Sequence, residues 1–361
     1  MNHPFTDQSD VPLSRYGWTP TLDHLFTDHR AAGLVPARIV RVHRGSCDVI
    51  TGHGPVRATV PAPRHADPEA APCTGDWAAL RLGQTPEVAA LLPRSTAIVR
   101  STASRTSHGQ VLAANVDTVV IAVSLSVPLN AARLERFLAL AWGSGTRPLI
   151  VLTKGDLAAD ADAVQAEITT LAPGVDILVT SAATGDNVDI LTALLGGGTT
   201  VLLGPSGTGK STLANALLGE DALAIGDVRA QDGKGRHTTV RRELLPLPGG
   251  GVLIDTPGLR GISLHDAADG LEQVFAEIEE LARDCRFDDC GHDGEPGCAV
   301  RAAIEAGEVA ERRLAGYRKL QREAAFEASR TDARLRDERV NRQKSISSHL
   351  RATYKFRDRQ R

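Results

Sequence analysis

The 361-residue sequence predicts a multidomain protein: an N-terminal five-stranded β-barrel, a central α/β domain built around a phosphate-binding loop, and a C-terminal helical zinc-binding domain. Three observations predict it. Short β-rich runs between turn residues fill 35–100, strand and helix patterns alternate through 101–262, and helical spacing interrupted by a tight Cys/His cluster occupies 263–361. The length exceeds what one hydrophobic core serves, and 42% hydrophobic with 24% charged residues suits a globular chain of two or three domains.

Residues 1–34 read as a short helical preface with Trp18, Leu22, Leu25 and Phe26, and no role follows from them. The barrel strands are ARIVRVHR, CDVIT, VRATVPA, DWAALRL and EVAALLP. Five strands of this size suit an oligonucleotide-binding OB-fold or an SH3-like spacer barrel equally, and Cys47 and Cys73 are expected to pack inside. After Val116 the order is strand VDTVVIAVSL, helix ARLERFLALAW, strand PLIVLTK, helix DAVQAEITTLA, strand VDILVTS, helix NVDILTALL and strand TTVLLG. Such alternation implies a parallel sheet with helices on both faces. Beyond Gly261 the spacing is helical.

GPSGTGKST, the stretch Gly204, Pro205, Ser206, Gly207, Thr208, Gly209, Lys210, Ser211 and Thr212, fits G-x-x-x-x-G-K-[ST] between an apolar strand and a helix. Its glycines let backbone N–H groups turn around a β-phosphate, Lys210 bridges the β- and γ-phosphates, and Ser211 binds Mg²⁺. Some fifty residues on, the strand GVLID ends in DTPG, where Asp255 is expected to hold Mg²⁺ and the Gly258 N–H to meet the γ-phosphate. Between them GKGRHTTVRREL reads as a mobile loop whose Thr238 or Thr239 completes the Mg²⁺ shell.

VLTKGDL supplies Thr153, Lys154, Gly155 and Asp156 at a strand end, and SAATG supplies Ser181 and Ala182 at the next. A carboxylate at 156 accepts from both N1–H and N2–H₂ of guanine, which adenine cannot satisfy. GTP and GDP are therefore the expected ligands. The motif order is that of a GTPase rotated, with the base reader before the phosphate loop, so the domain reads as circularly permuted. Leu259 stands where a water-orienting glutamine often follows D-x-x-G, so either another group positions the water or a partner supplies it; His237 is the internal candidate, with a solvent-facing side chain as its alternative.

CRFDDCGHDGEPGC gives Cys285, Cys290, His292 and Cys298, a closed donor set for one structural Zn²⁺. Clustered thiols of this kind do not resemble a secreted disulfide framework. Residues 312–361 carry sixteen Lys or Arg against six Asp or Glu although the whole chain is at -3, so a basic tail follows an acidic body and a polyanionic partner is a candidate. No stretch reaches the roughly eighteen apolar residues of a membrane span. A cytoplasmic monomer without membrane contact is expected.

The TGDW element at Thr74–Trp77, ANVDTVVIAVSL, VLTKGDL, GPSGTGKST, GRHTT, DTPG, the Cys/His cluster and the basic tail together resemble the RsgA (YjeQ) family of circularly permuted GTPases over nearly the whole chain. The resemblance implies an OB-fold contacting ribosomal RNA, a part in small-ribosomal-subunit maturation, GTP hydrolysis stimulated by that subunit, and release once it is mature. Position 153 departs from the usual pattern, with Thr where GTPases commonly have Asn. Two other classes stay in view: a P-loop ATPase or kinase acting on a small metabolite, and a nucleic-acid-binding scaffold whose nucleotide site no longer turns over.

Overall fold

A computed structural model describes residues 11–61, 70–101, 109–219, 242–255 and 268–331. The preface is a 3₁₀ turn, Leu13–Tyr16, followed by α1 (Pro20–Leu25) and α2 (Thr27–Ala31). Pro20 opens α1 where its missing N–H costs nothing, and the Thr19 hydroxyl accepts from the Leu22 N–H. Trp18 stands edge-on to Trp77 at 4.8 Å and to Phe26 at 5.7 Å, which seats the preface on the barrel.

The barrel closes in the order β1 (Val35–His43), β2 (Ser46–Thr51), β3 (Gly54–Thr59), β5 (Glu87–Leu91), β4 (Trp77–Arg81), and β4 returns to β1. The β3–β5 contact is parallel and the other pairs antiparallel, so the closure is a Greek key rather than a meander. Ala37, Ile39, Cys47, Val49, Ala78 and Leu80 fill its interior. Cys73 differs from expectation: its thiol donates to the Val111 carbonyl, outside the barrel interior. Burial pushes both thiols up to about 12, so they are inert.

A two-stranded sheet, β6 (Ala97–Ser101) with β7 (Gly109–Ala114), spans the junction expected at residues 100 and 101, and the sequence reading had not anticipated it. Its end meets the barrel at Gly75, whose φ is +96°; a Cβ there would lie 2.3 Å from the Ala114 carbonyl oxygen. Only glycine allows that approach.

The central sheet has the order β10 (Asp176–Val179), β9 (Arg147–Thr153), β8 (Thr118–Ser124), β11 (Thr199–Leu203), β13 (Val252–Asp255), β12 (Glu243–Pro246). All neighbours are parallel except β12, a four-residue edge strand that the reading of this region as loop had missed. Short edge strands ending in proline carry little sequence signal. The helices are α3 (Ala131–Gly143), α4 (Ala161–Leu171), α5 (Val188–Leu195) and α6 (Lys210–Leu218). Asn130 and Asp160 cap α3 and α4 by accepting from the Arg133 and Ala163 N–H groups. Leu134, Leu138 and Ala141 form the helical stripe that α3 buries.

The C-terminal region is helical where described: α7 (Ala268–Val274), α8 (Ala276–Ala282), α9 (Ala299–Glu305) and α10 (Glu311–Thr331). GLEQVFAEIEELARD, which reads as one helix, breaks at the buried Phe275. Among the described residues no helix is long and apolar enough to cross a membrane.

One buried side chain joins three of these parts. Arg38 of β1 is 1% exposed, and its guanidinium donates to the Thr199 hydroxyl at 2.9 Å, the Tyr16 carbonyl at 3.3 Å and the Asn115 carbonyl at 3.5 Å. It also stacks 4.7 Å from the Trp77 ring. Burial pulls its pKa down to about 10 against the opposing fields of Asp117 and Asp76, so it stays charged at neutral pH. Arg38→Ala is expected to cost about 3–5 kcal/mol by stranding these acceptors and leaving a cavity, read as a lower urea midpoint.

Candidate functional site

Because β9, β10, β11 and β13 run parallel, their carboxyl ends share one edge of the sheet. The chain lays down β8, β9 and β10 outward, then returns to the other side of β8 with β11. Ligands of open α/β sheets bind at such a reversal. Four of the predicted motifs leave from this edge.

The phosphate loop follows β11. Gly204 has φ +147°, and a Cβ there would meet the Ala122 carbonyl oxygen at 2.7 Å, so the loop leaves the sheet in tight contact with β8. The Lys210 ammonium donates to the carbonyls of Gly204 at 2.8 Å and Pro205 at 2.6 Å, which holds it across the loop. The Thr208 hydroxyl donates to Pro205 at 2.9 Å, and α6 begins at Lys210 with no side-chain cap. Its first-turn N–H groups have no intrahelical partner, and exposed Ser211 and half-buried Thr212 lie on that turn.

The two base motifs meet this loop and each other. The Thr153 hydroxyl donates to the Thr208 carbonyl at 2.7 Å, with the Val123 carbonyl at 3.3 Å as the weaker acceptor. A hydroxyl has one proton, so Thr153 makes the bridge to the phosphate loop but lacks the amide's second donor. Lys154 adopts a left-handed φ of 61°, and its ammonium reaches the Gly207 carbonyl at 2.9 Å and the Ser126 hydroxyl at 3.3 Å. Gly155 packs against Val179 and donates to Thr180. The Ser181 hydroxyl donates to the Asp156 carboxylate at 2.6 Å, and Ala182 packs on the core beneath. Ser126 was missed by the sequence reading, having no motif around it.

Asp255 ends β13, half-buried, with its carboxyl raised above the usual range first by desolvation and then by the facing Glu243. Glu243 has no motif either and emerges only from strand pairing. His237, Thr238, Thr239 and Gly258 lie outside the described residues.

The Cys/His cluster sits between α8 and α9. Ligand atoms of Cys285, Cys290, His292 and Cys298 all lie within 4.8 Å of one another. His292 Nδ1 is 3.6 Å from the Cys285 sulfur and 3.4 Å from that of Cys298, and the two sulfurs are 3.9 Å apart. A tetrahedron with Zn–S near ~2.3 Å and Zn–N near ~2.0 Å has edges of about 3.8 Å between sulfurs and about 3.5 Å from sulfur to nitrogen. The donors fit such an ion. Burial and the Arg318 charge lower the His292 pKa, favouring the neutral imidazole that ligation requires. Cys298 also caps α9 by accepting from the Arg301 N–H.

Residues 91–265 match the RsgA GTPase family. A Streptomyces coelicolor protein named small ribosomal subunit biogenesis GTPase RsgA is 57% identical over 331 residues, covering 90% of each chain. The chain belongs to the RsgA GTPase family. The crystal structure of YjeQ from Thermotoga maritima, 26% identical, covers 81% of this chain and 98% of its own with a TM-score of 0.60. YloQ, a circularly permuted GTPase, is 23% identical, covers 81% of this chain and 95% of its own, and shares the fold with a TM-score of 0.59. As an RsgA-family GTPase, the chain has a closed barrel, a permuted α/β domain and a C-terminal Cys₃His cluster.

Cys290→Ser is expected to reduce bound zinc from one equivalent per chain to near none, measured by a colorimetric chelator after denaturation. Since such sites contribute roughly 10 kcal/mol in small zinc modules, the variant's C-terminal helices should melt before the α/β sheet.

Proposed function

We propose that this GTPase is an assembly factor that binds the small ribosomal subunit, assists its late maturation, and hydrolyses GTP faster when bound there. One observation carries the reading of a guanine-nucleotide site: the Thr153 hydroxyl ties the base motif directly to the phosphate loop at Thr208, while Ser181 ties the second base loop to Asp156. Family membership and the relative's name give that site its setting. Asp156 accepts from the two guanine donors, the Lys154 stem lies along the base, and the Ser181–Ala182 backbone reads the carbonyl. Gly204 to Thr212 wraps the phosphates, and Lys210 exchanges its carbonyl partners for phosphate oxygens. Ser211, Thr238 or Thr239, and Asp255 would hold Mg²⁺, which would supply charge neutralisation to the phosphate chain. Asp255, at the end of β13, brings the hard oxygen donor that this ion prefers.

The Gly258 N–H donates to the γ-phosphate, and His237 orients the attacking water unless the bound subunit supplies that group. Cys285, Cys290, His292 and Cys298 would hold a zinc that ties together the region between α8 and α9, and the barrel with the basic tail meets ribosomal RNA in the cytoplasm, one chain per subunit.

Asp156→Asn is expected to weaken GTP binding by about a hundredfold, since the amide accepts from only one of the two guanine donors and turns an N–H toward the other, and to admit xanthosine triphosphate, whose carbonyl accepts that N–H. Calorimetry with both nucleotides and ATP checks this; tighter ATP than GTP binding in the unaltered protein would remove the guanine reading. Single-turnover hydrolysis with and without purified small subunits tests the assembly role, with at least roughly tenfold stimulation expected. Equal rates in both conditions would return the chain to the scaffold class.

A further inference from the structure

β1 carries Arg38 and Arg41, three residues apart, which in a regular strand would point to opposite faces. A bulge changes this. Ile39 pairs with Val49 and Arg41 with Asp48, leaving Val40 as the extra residue. Ala37 and Ile39 therefore fill the barrel, while Arg38, Val40 and Arg41 all lie toward the α/β domain.

The Arg41 guanidinium pairs with the Glu243 carboxylate at the start of β12. The two side chains are 17% and 29% exposed, so solvent screens the pair less than it would a surface contact. Asp48, opposite Arg41, is already engaged by Arg57 and His43. Glu243 is in turn the direct cross-strand partner of Asp255. Opposed residues of an antiparallel pair share a face with Cβ atoms about 5 Å apart, and like charges so placed repel. Two carboxylates thus stand side by side at the end of the sheet, and the barrel provides their counter-cation.

We propose that Arg41 is a positioning residue for the γ-phosphate side of the nucleotide site. It fixes Glu243 and offsets its charge, so Asp255 meets the Mg²⁺·triphosphate with its neighbouring carboxylate paired rather than uncompensated. This rests on the assignment of Asp255 to the Mg²⁺ site. The effect is read on the triphosphate, because its extra phosphate brings the negative charge that a second uncompensated carboxylate would repel, and β12 and β13 lie at the opposite end of the sheet from the base-motif strands β9 and β10.

The test is equilibrium binding of Mg²⁺·GDP and of a non-hydrolysable Mg²⁺·GTP analogue to the full chain and to Arg41→Ala, Glu243→Gln and the double variant. Arg41→Ala should weaken the triphosphate analogue about tenfold and leave GDP unchanged. Glu243→Gln in that background should restore it, because a neutral amide needs no counter-cation, whereas loss of simple interdomain packing would not be rescued. Equal weakening of both nucleotides, no change in either, or a double variant as weak as Arg41→Ala would overturn the proposal. Arg41→Gln, which keeps the packing stem, replaces Arg41→Ala should the latter not fold. Asp255→Asn separates the two levels: if it leaves the Mg²⁺ requirement of triphosphate binding intact, the Asp255 assignment fails. If it removes that requirement while Arg41→Ala does nothing, only the role of Arg41 falls.

Discussion

Arg38 brings a full positive charge into a place without water, and such a charge is tolerated only where acceptors are already arranged around it. Those acceptors come from the preface (Tyr16), the segment after β7 (Asn115) and β11 (Thr199). The barrel can therefore satisfy its own buried cation only when docked against the strand that leads into the phosphate loop. Asp117, whose field holds the guanidinium charged, also accepts from the Thr199 N–H at 2.6 Å, so the same carboxylate fixes the start of β11. The base of the phosphate loop and the orientation of the barrel are set by one electrostatic arrangement. Without that docking Arg38 would lose its Thr199 and Asn115 acceptors and Arg41 its Glu243 partner.

Permutation leaves the site intact for a geometric reason. A parallel sheet delivers every strand's carboxyl end to the same edge, so the loops converge whichever strand comes first in the chain. VLTKGDL precedes GPSGTGKST by about fifty residues, yet β9 and β11 both flank β8, and Thr153 reaches Thr208 directly. What permutation alters is where the chain enters and leaves. The barrel now enters beside β8 and β11, and the chain leaves from β13 toward the helical region.

Much of this was legible in the sequence because glycine, lysine and aspartate at fixed spacings have few other uses in a strand-to-helix turn. The barrel strands and the α/β alternation were legible from hydrophobic periodicity between turn residues, and the Cys₃His set from its close donor spacing. The barrel topology was not: strand count leaves OB-fold and SH3-like barrels equal, and only the parallel β3–β5 pairing resolves the closure. Nor were Ser126, Glu243 or Arg41, because their parts depend on which strand lies beside which. Cys73 was misplaced in the barrel because a buried thiol looks alike on either side of a wall. The β6–β7 hairpin hid because its strands straddle a change of composition that reads as a domain boundary.

The motif order alone suggests that movement after DTPG would pass straight into the C-terminal helices. Packing argues for a more constrained route. Gly270 of α7 sits so close to α3 that a Cβ would lie 2.1 Å from the Ala139 carbonyl oxygen. Glu135 of α3, 1% exposed, accepts from Arg313 at 2.8 Å and from Arg312 at 3.3 Å, both on α10. Arg313 also pairs with Glu277, donates to the Val274 carbonyl and stacks on Phe275 at 4.5 Å. Breaking one member of such a buried network costs about 3–5 kcal/mol. The helical region is thus bolted to α3 and travels with the sheet. α7 and α10 form a fixed wall against α3, and the Cys/His cluster between α8 and α9 gathers its four donors at the far side of that wall.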